Sequence, residues 1–265
     1  MAIDDDLSIA AGAITVEVDA ASGGRIAQIT IGSSPLLVGR DDVPSSALAW
    51  GCYPMVPWAG RIRNGTFSFR GAEYHLPRNH GDHAMHGVGF TSAWSVVAHE
   101  ADRLRLELEL PADERWPFGG RVVQAFTVEP DRVQCSMAVE AEELAFPVSF
   151  GWHPWFRKPD RLEFEPLAMY RRDGDGIAVD ELLPVPAGPW DDCFVNVAPV
   201  GLVIDGVSIE LTSPCPTWVV YDEPEHATCV EPQTGPPDAF NLGAIVLEPG
   251  AAATAFFQLR IAAMQ

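Results

Sequence analysis

Leu202-Val203-Ile204-Asp205-Gly206-Val207-Ser208-Ile209 sets two short apolar runs on either side of an Asp-Gly pair. Both residues of such a pair tolerate positive φ, which a two-residue type I′ turn requires, and that turn matches the twist of antiparallel strands. The stretch therefore predicts a β-hairpin. Working outward, residues 122–128 and 133–139 flank Pro130-Asp131 in the same manner and predict a second hairpin. Residues 13–19, 103–110 and 207–211 alternate apolar and polar side chains, the period of a half-buried strand. No long stretch carries a 3.6-residue period. The Ala-rich end, residues 251–263, contains Thr254, Phe256, Phe257 and Ile261 and is read as a final strand. The 23 Gly and 23 Pro are spread along the chain, punctuating short runs instead of forming one linker. The fold class expected is all-β, one large antiparallel domain.

The chain has 265 residues, of which 47% are hydrophobic and 20% charged, a globular balance that excludes wholesale disorder. No apolar run reaches the roughly 18 residues that span a bilayer, and residues 1–6 are acidic where a signal peptide would be basic. These features predict a soluble chain without a cleaved leader and without a membrane partner. Seventeen Lys and Arg against 37 Asp and Glu give a net charge of -20. Such a surface repels phosphate backbones, so no nucleic acid is expected as partner. Only one basic residue is a lysine, Lys158. Cys52, Cys135, Cys193, Cys215 and Cys229 are odd in number and lack a Cys-x-x-Cys pair. Free thiols in a reducing cytoplasm fit them better than a disulfide framework or a zinc site.

Four stretches break the strand pattern: Pro57-Trp58-Ala59-Gly60-Arg61-Ile62-Arg63-Asn64-Gly65; His80-Gly81-Asp82-His83-Ala84-Met85-His86-Gly87; Gly151-Trp152-His153-Pro154-Trp155-Phe156; and Cys229-Val230-Glu231-Pro232-Gln233-Thr234-Gly235, followed by Pro236-Pro237-Asp238-Ala239-Phe240-Asn241. Each has a plain reading. Three histidines at three-residue spacing suit a metal, but the glycines between them predict a loop, where that spacing has no helical meaning. No metal is expected there, with His80 and His83 at a rim. Trp58, Trp152 and Trp155 taken singly read as core. Arg61 and Arg63 taken singly read as partners of surface acids, and Glu231 as an edge-strand carboxylate. Taken together, the stretches hold a histidine, a glutamate, an arginine and indole rings, a set suited to a neutral polyol. Aromatic faces cover C–H surfaces while charged groups bond hydroxyls. Imidazole and carboxylate are also the usual pair for moving protons near neutral pH. Spacing alone does not bring them together.

In order, and over nearly the whole chain, these segments resemble the aldose 1-epimerase (galactose mutarotase) family. Arg61-Ile62-Arg63-Asn64-Gly65-Thr66-Phe67 resembles the family's arginine segment, and His86-Gly87 its first histidine step. The resemblance implies that Arg61 and His86 bind sugar. Trp152-His153 sits at the second histidine, implying His153 as general acid. Trp190-Asp191-Asp192-Cys193-Phe194 resembles the segment that supplies a substrate-binding aspartate, which puts Asp191 ahead of Asp192. Cys229-Val230-Glu231 with Pro237-Asp238-Ala239-Phe240-Asn241 resembles the catalytic glutamate motif, implying Glu231 as base. The chain departs from the family pattern at Gly60, His83 and Trp152, each in place of an asparagine, and at Val88, in place of a glycine. These positions are expected to line the sugar site. The implied fold is a large antiparallel β-sandwich over residues 1–265, without metal or organic cofactor, acting on a small aldose as monomer or homodimer.

Interconverting α and β anomers requires a proton to leave the C1 hydroxyl and another to reach the ring oxygen. The ring opens, C1 rotates, and closure reverses both transfers. A neighbouring acid is expected to hold His153 protonated, and a donor such as Arg61 to hold Glu231 ionised. A hexose-6-phosphate epimerase would need additional free cations, with Arg61, Arg63, Arg78, Arg171 and Arg172 as candidates. A non-catalytic sugar-binding module would need no acid–base pair.

Overall fold

A computed structural model gives the structure of residues 7–43 and 46–261, so the acidic start at residues 1–6 lies outside the described residues. Two antiparallel sheets make up most of the chain. The first runs in the order Leu7–Ala11, Ile14–Asp19, Arg25–Ile31, Cys52–Met55, Gly151–Arg157, Ala227–Gln233, Thr217–Tyr221, Asp191–Val195, Ala168–Arg172 and Ala178–Leu183, with Ser34–Pro35 added beside Arg25–Ile31. The second runs Ser95–His99, Arg103–Glu109, Arg121–Glu129, Arg132–Glu140, Ala252–Ile261, Val207–Thr212, Val200–Ile204 and Arg161–Glu163. The fold is the expected all-β sandwich. Among the described residues, the only α-helix is the single turn Ala239–Leu242, and no helix is long and apolar enough to cross a membrane.

Both predicted hairpins form. Ile204 pairs with Val207 across Asp205-Gly206, whose φ values of 48° and 78° are those of a type I′ turn. Glu129 pairs with Arg132 across Pro130-Asp131. The alternation of Arg121–Glu129 and Arg132–Glu140 becomes alternation of burial, every second side chain entering the core. The Ala-rich end forms the strand Ala252–Ile261 between Arg132–Glu140 and Val207–Thr212. Residues 262 and 263 of the predicted strand lie outside the described residues.

The core lies between the sheets. Trp152 packs on Phe257 with ring centroids 5.5 Å apart, joining the central strand Gly151–Arg157 to the central strand of the other sheet. Side chains alternate across a strand. With Trp152 turned inward, His153 therefore faces away from the second sheet, on the surface of the first.

Candidate active site

Register brings residues distant in sequence into rows on that outer face. Gly151 pairs with Gln233 and Trp155 with Cys229, which sets His153 opposite Glu231. On the other side His153 pairs with Tyr53. Glu231 pairs with Val219, and Val219 with Cys193. One row across five strands therefore reads Tyr53, His153, Glu231, Val219, Cys193. The next reads Trp155, Cys229, Tyr221, Asp191. Every member of these rows except Cys229 lines a cavity of about 340 Å³, at the small end of the ~300–1,000 Å³ typical of small-molecule sites.

Arg61, His86, His153, Asp191 and Glu231 all line this cavity. Nε2 of His153 is 3.1 Å from Oε1 of Glu231, and the two residues are 7% and 3% exposed. The second carboxylate oxygen accepts from Nε2 of Gln233 at 3.1 Å. Two rings stack on that of His153, Tyr53 at 4.6 Å and Trp155 at 5.3 Å. Behind Tyr53 lies Arg25, 1% exposed, its guanidinium carbon 5.1 Å from the Tyr53 ring and 4.3 Å from that of Trp50. Its donors end on the carbonyls of Ser22, Trp50 and Phe90.

The electrostatics run against the expectation of a protonated His153 and an ionised Glu231. Burial pushes the Glu231 carboxyl well above its ordinary range, and Asp191 adds to the effect; Gln233 and Arg61 oppose it. Burial pulls His153 down to about 3, and Arg25 acts in the same direction. Desolvation disfavours each charged form, so the pair holds one proton between its members and is uncharged as a unit.

His86 enters the cavity from a loop. Residues 86 and 87 both have positive φ, 60° and 72°. A Cβ on Gly87 would lie 2.0 Å from the Val56 carbonyl oxygen, so only glycine fits after the histidine. The Gly60 N–H donates to Nδ1 of His86 at 3.2 Å, which leaves the ring hydrogen on Nε2. Burial holds this imidazole well below its ordinary pKa and therefore neutral. Asp238, 4% exposed, pins the arginine segment: it accepts from the Arg63 N–H at 3.0 Å, and its own N–H donates to the Arg61 carbonyl at 2.7 Å. The Pro237–Asn241 stretch thus acts on Arg61 through the backbone.

Arg61 donates to the Gly176 carbonyl at 3.2 Å, and Arg172 donates to the same oxygen at 3.3 Å. Arg172 also bridges Asp191, at 3.2 Å, and Asp192, at 3.5 Å. Asp191 is raised by burial, with Arg172 and then Arg61 pulling the other way. Tyr53, Gln233, Arg172 and Asp192 are cavity residues absent from the sequence-level set. Gln233 was within reach of that reading, because position i+2 on a strand shares a face with Glu231. The sequence marks Arg172 only as a candidate cation for a phosphate, and Tyr53 carries no local signal.

Three of the four variant positions expected at the sugar site, Trp152, Val88 and His83, do not line the cavity. Trp152 and Val88 are buried core residues, Trp152 because strand alternation turns it inward. Gly60 does line the cavity. His80 also lines it, while Nδ1 of His83 accepts from the Asn64 N–H at 3.2 Å. Among the described residues, the metal-type donors that converge within 4.8 Å are those of His153, Cys229 and Glu231, not the three loop histidines.

Residues 6–260 match the family model for aldose 1-epimerase. A 110-residue stretch, 40% of this chain, is 36% identical to the uncharacterized protein YphB of Escherichia coli K12 and spans 36% of that protein. The fold is similar to that of the GalM/aldose epimerase homologue from C. elegans, with a TM-score of 0.84 at 17% identity over 97% of this chain and 98% of that one. It is also similar to galactose 1-epimerase from Lactobacillus acidophilus NCFM, with a TM-score of 0.80 at 15% identity over 95% and 92%. At these identities the structural likeness is one of fold.

Proposed function

The chain belongs to the aldose 1-epimerase family, and on that premise we propose that it interconverts the α and β anomers of a free aldose. The observation that carries the reading is the buried contact of 3.1 Å between His153 and Glu231 on the cavity floor. In a pyranose the anomeric oxygen and the ring oxygen are bonded to one carbon. An acid and a base that serve them in the same step must therefore be neighbours, and these two are.

Glu231 removes the anomeric hydroxyl proton while His153 protonates the ring oxygen and the bond from C1 to that oxygen breaks. The pair enters this step as carboxylate and imidazolium and leaves it as carboxylic acid and imidazole. Ring closure on the other face of C1 runs the transfers backward. Both forms hold one proton, so the cycle draws none from solvent. Burial favours the uncharged form, which is the one that accompanies the open-chain aldehyde. Each positioned group typically contributes roughly 10²–10⁴-fold. Neutral His86 donates from Nε2 to a sugar oxygen, Arg61 donates likewise, and Asp191 accepts from a hydroxyl.

The pairing of cations supports a free sugar over a sugar phosphate. Arg63 meets Asp173, Asp175 and Asp238; Arg78 meets Asp82 and Arg171 meets Glu181; Arg172 meets Asp191 and Asp192. Among the described residues Arg61 alone of the five candidates has no carboxylate partner. One guanidinium is a small cluster for a phosphate dianion. The buried free thiols support a reducing compartment such as the cytoplasm. Polarimetry on freshly dissolved α-glucose, α-galactose and glucose 6-phosphate tests the reading. We expect acceleration with a free aldose; acceleration confined to the phosphate, or sugar binding with no acceleration at all, would overturn it.

A further inference from the structure

Cys229 has no part in that mechanism, yet its sulfur lies beside both members of the acid–base pair. It occupies the row next to Glu231 on the same strand face, and its Sγ, a His153 ring nitrogen and a Glu231 carboxylate oxygen all lie within 4.8 Å of one another. All three residues are buried. We propose that His153, Cys229 and Glu231 form a site for a thiophilic divalent cation of the zinc type, and that its occupancy silences the acid–base pair. Binding stands on the geometry; the effect on turnover rests on the function proposed above.

A tetrahedral zinc ion with nitrogen and oxygen ligands at ~2.0–2.2 Å sets them roughly 3.3–3.5 Å apart. Nε2 of His153 and Oε1 of Glu231 are already at 3.1 Å. With Zn–S of about 2.3 Å, which sets sulfur about 3.6 Å from the nitrogen and oxygen ligands, the sulfur needs to close by about 1.2 Å at most. One sulfur, one nitrogen and one oxygen are the donors of a zinc-type ion; magnesium and calcium take six or more oxygens. Charge balances as well. The thiol and the pair each release their proton, and the resulting thiolate and carboxylate neutralise the dication. Burial pushes the Cys229 thiol up, so without a cation it stays a thiol, and binding tightens as pH rises. His153 and Glu231 face the cavity, so the fourth coordination position lies on the sugar side and cation and sugar compete.

The probes are cobalt(II), for its sulfur-to-metal absorption, and zinc, for inhibition of mutarotation. The wild-type chain should show the cobalt–thiolate band and lose activity to zinc competitively with sugar, with recovery on chelation. Cys229→Ala should keep its metal-free activity within about twofold, lose the band, and need at least ~10-fold more zinc for the same inhibition, since weakening even a supporting group typically costs 10–100-fold. Cys229→Ser serves if the alanine variant folds poorly, and Cys135→Ala, in the second sheet and away from the cavity, should leave both readouts unchanged. A wild-type chain with no band at saturating cobalt would overturn the site, and so would equal zinc inhibition of wild type and Cys229→Ala. A band in a chain without mutarotase activity would sustain the site and remove only its proposed effect on turnover.

Discussion

Glu231 and His153 are each shifted toward the uncharged form, and the two shifts have opposite consequences for stability. In the unfolded chain the carboxyl titrates near 4.5 and the imidazole near 6.5. The folded pair holds one proton throughout that interval, and so does the unfolded pair, so its contribution is flat between those values. Above 6.5 the unfolded pair has lost its proton and the folded pair has not, so stability falls as pH rises. Below 4.5 the unfolded pair holds two, so stability falls on acidification, down to about 3. Each slope is at most about 1.4 kcal/mol per pH unit. Glu231→Gln should abolish the alkaline decline, so the stability of the variant relative to wild type in urea unfolding should rise between pH 6.5 and 8; a constant difference would contradict the raised carboxyl. The same variant, and His153→Asn, should each lower kcat by about 10²–10⁴ while sugar binding survives. Because the two act as one unit, the double variant should lose less than the product. Full activity in folded Glu231→Gln would dismiss Glu231 as base. Both residues were legible in the sequence from their motifs. Their shifted protonation was not, because it comes from burial, which depends on strands far away in the chain.

Strands and turns were legible wherever a local rule decides them. The Asp205-Gly206 hairpin and the alternation of residues 103–110 needed only neighbouring side chains. The contact between His153 and Glu231 needed a register between strands whose partners lie some 80 residues apart, which no local pattern encodes. Two glycines separate these kinds of information. Gly206 and Gly87 have nearly the same positive φ, 78° and 72°. A Cβ on Gly206 would meet nothing within 4 Å, whereas on Gly87 it would strike the Val56 carbonyl. Gly206→Ala should therefore cost only the left-handed backbone term of roughly 1–2 kcal/mol and leave KM alone. Gly87→Ala should add an overpacking term of about 1–3 kcal/mol and raise KM, because His86 must move off the Gly60 N–H. Urea midpoints and Michaelis curves for the two variants check this, and equal KM values would disconnect the loop from sugar binding.

Over the whole molecule, a net charge of -20 acts on the surface and hardly at all on the buried site. Self-repulsion weakens the compact state, and salt shortens its reach from ~30 Å at 0.01 M to ~3 Å at 1 M. The melting temperature should rise with sodium chloride over that range while kcat stays level. A melting temperature that does not move would mean that the surface charges are already paired off. The rows that floor the cavity belong to neighbouring strands in the middle of a long sheet, with hydrogen-bonded partners on both sides. In deuterated water, backbone amides at such positions exchange only when the molecule opens globally, while edge strands such as Ser95–His99 exchange through local fraying. Among the slowest clocks in the protein are therefore those at the residues proposed to do its chemistry. A sugar that settles on them finds these strand-borne partners already in place.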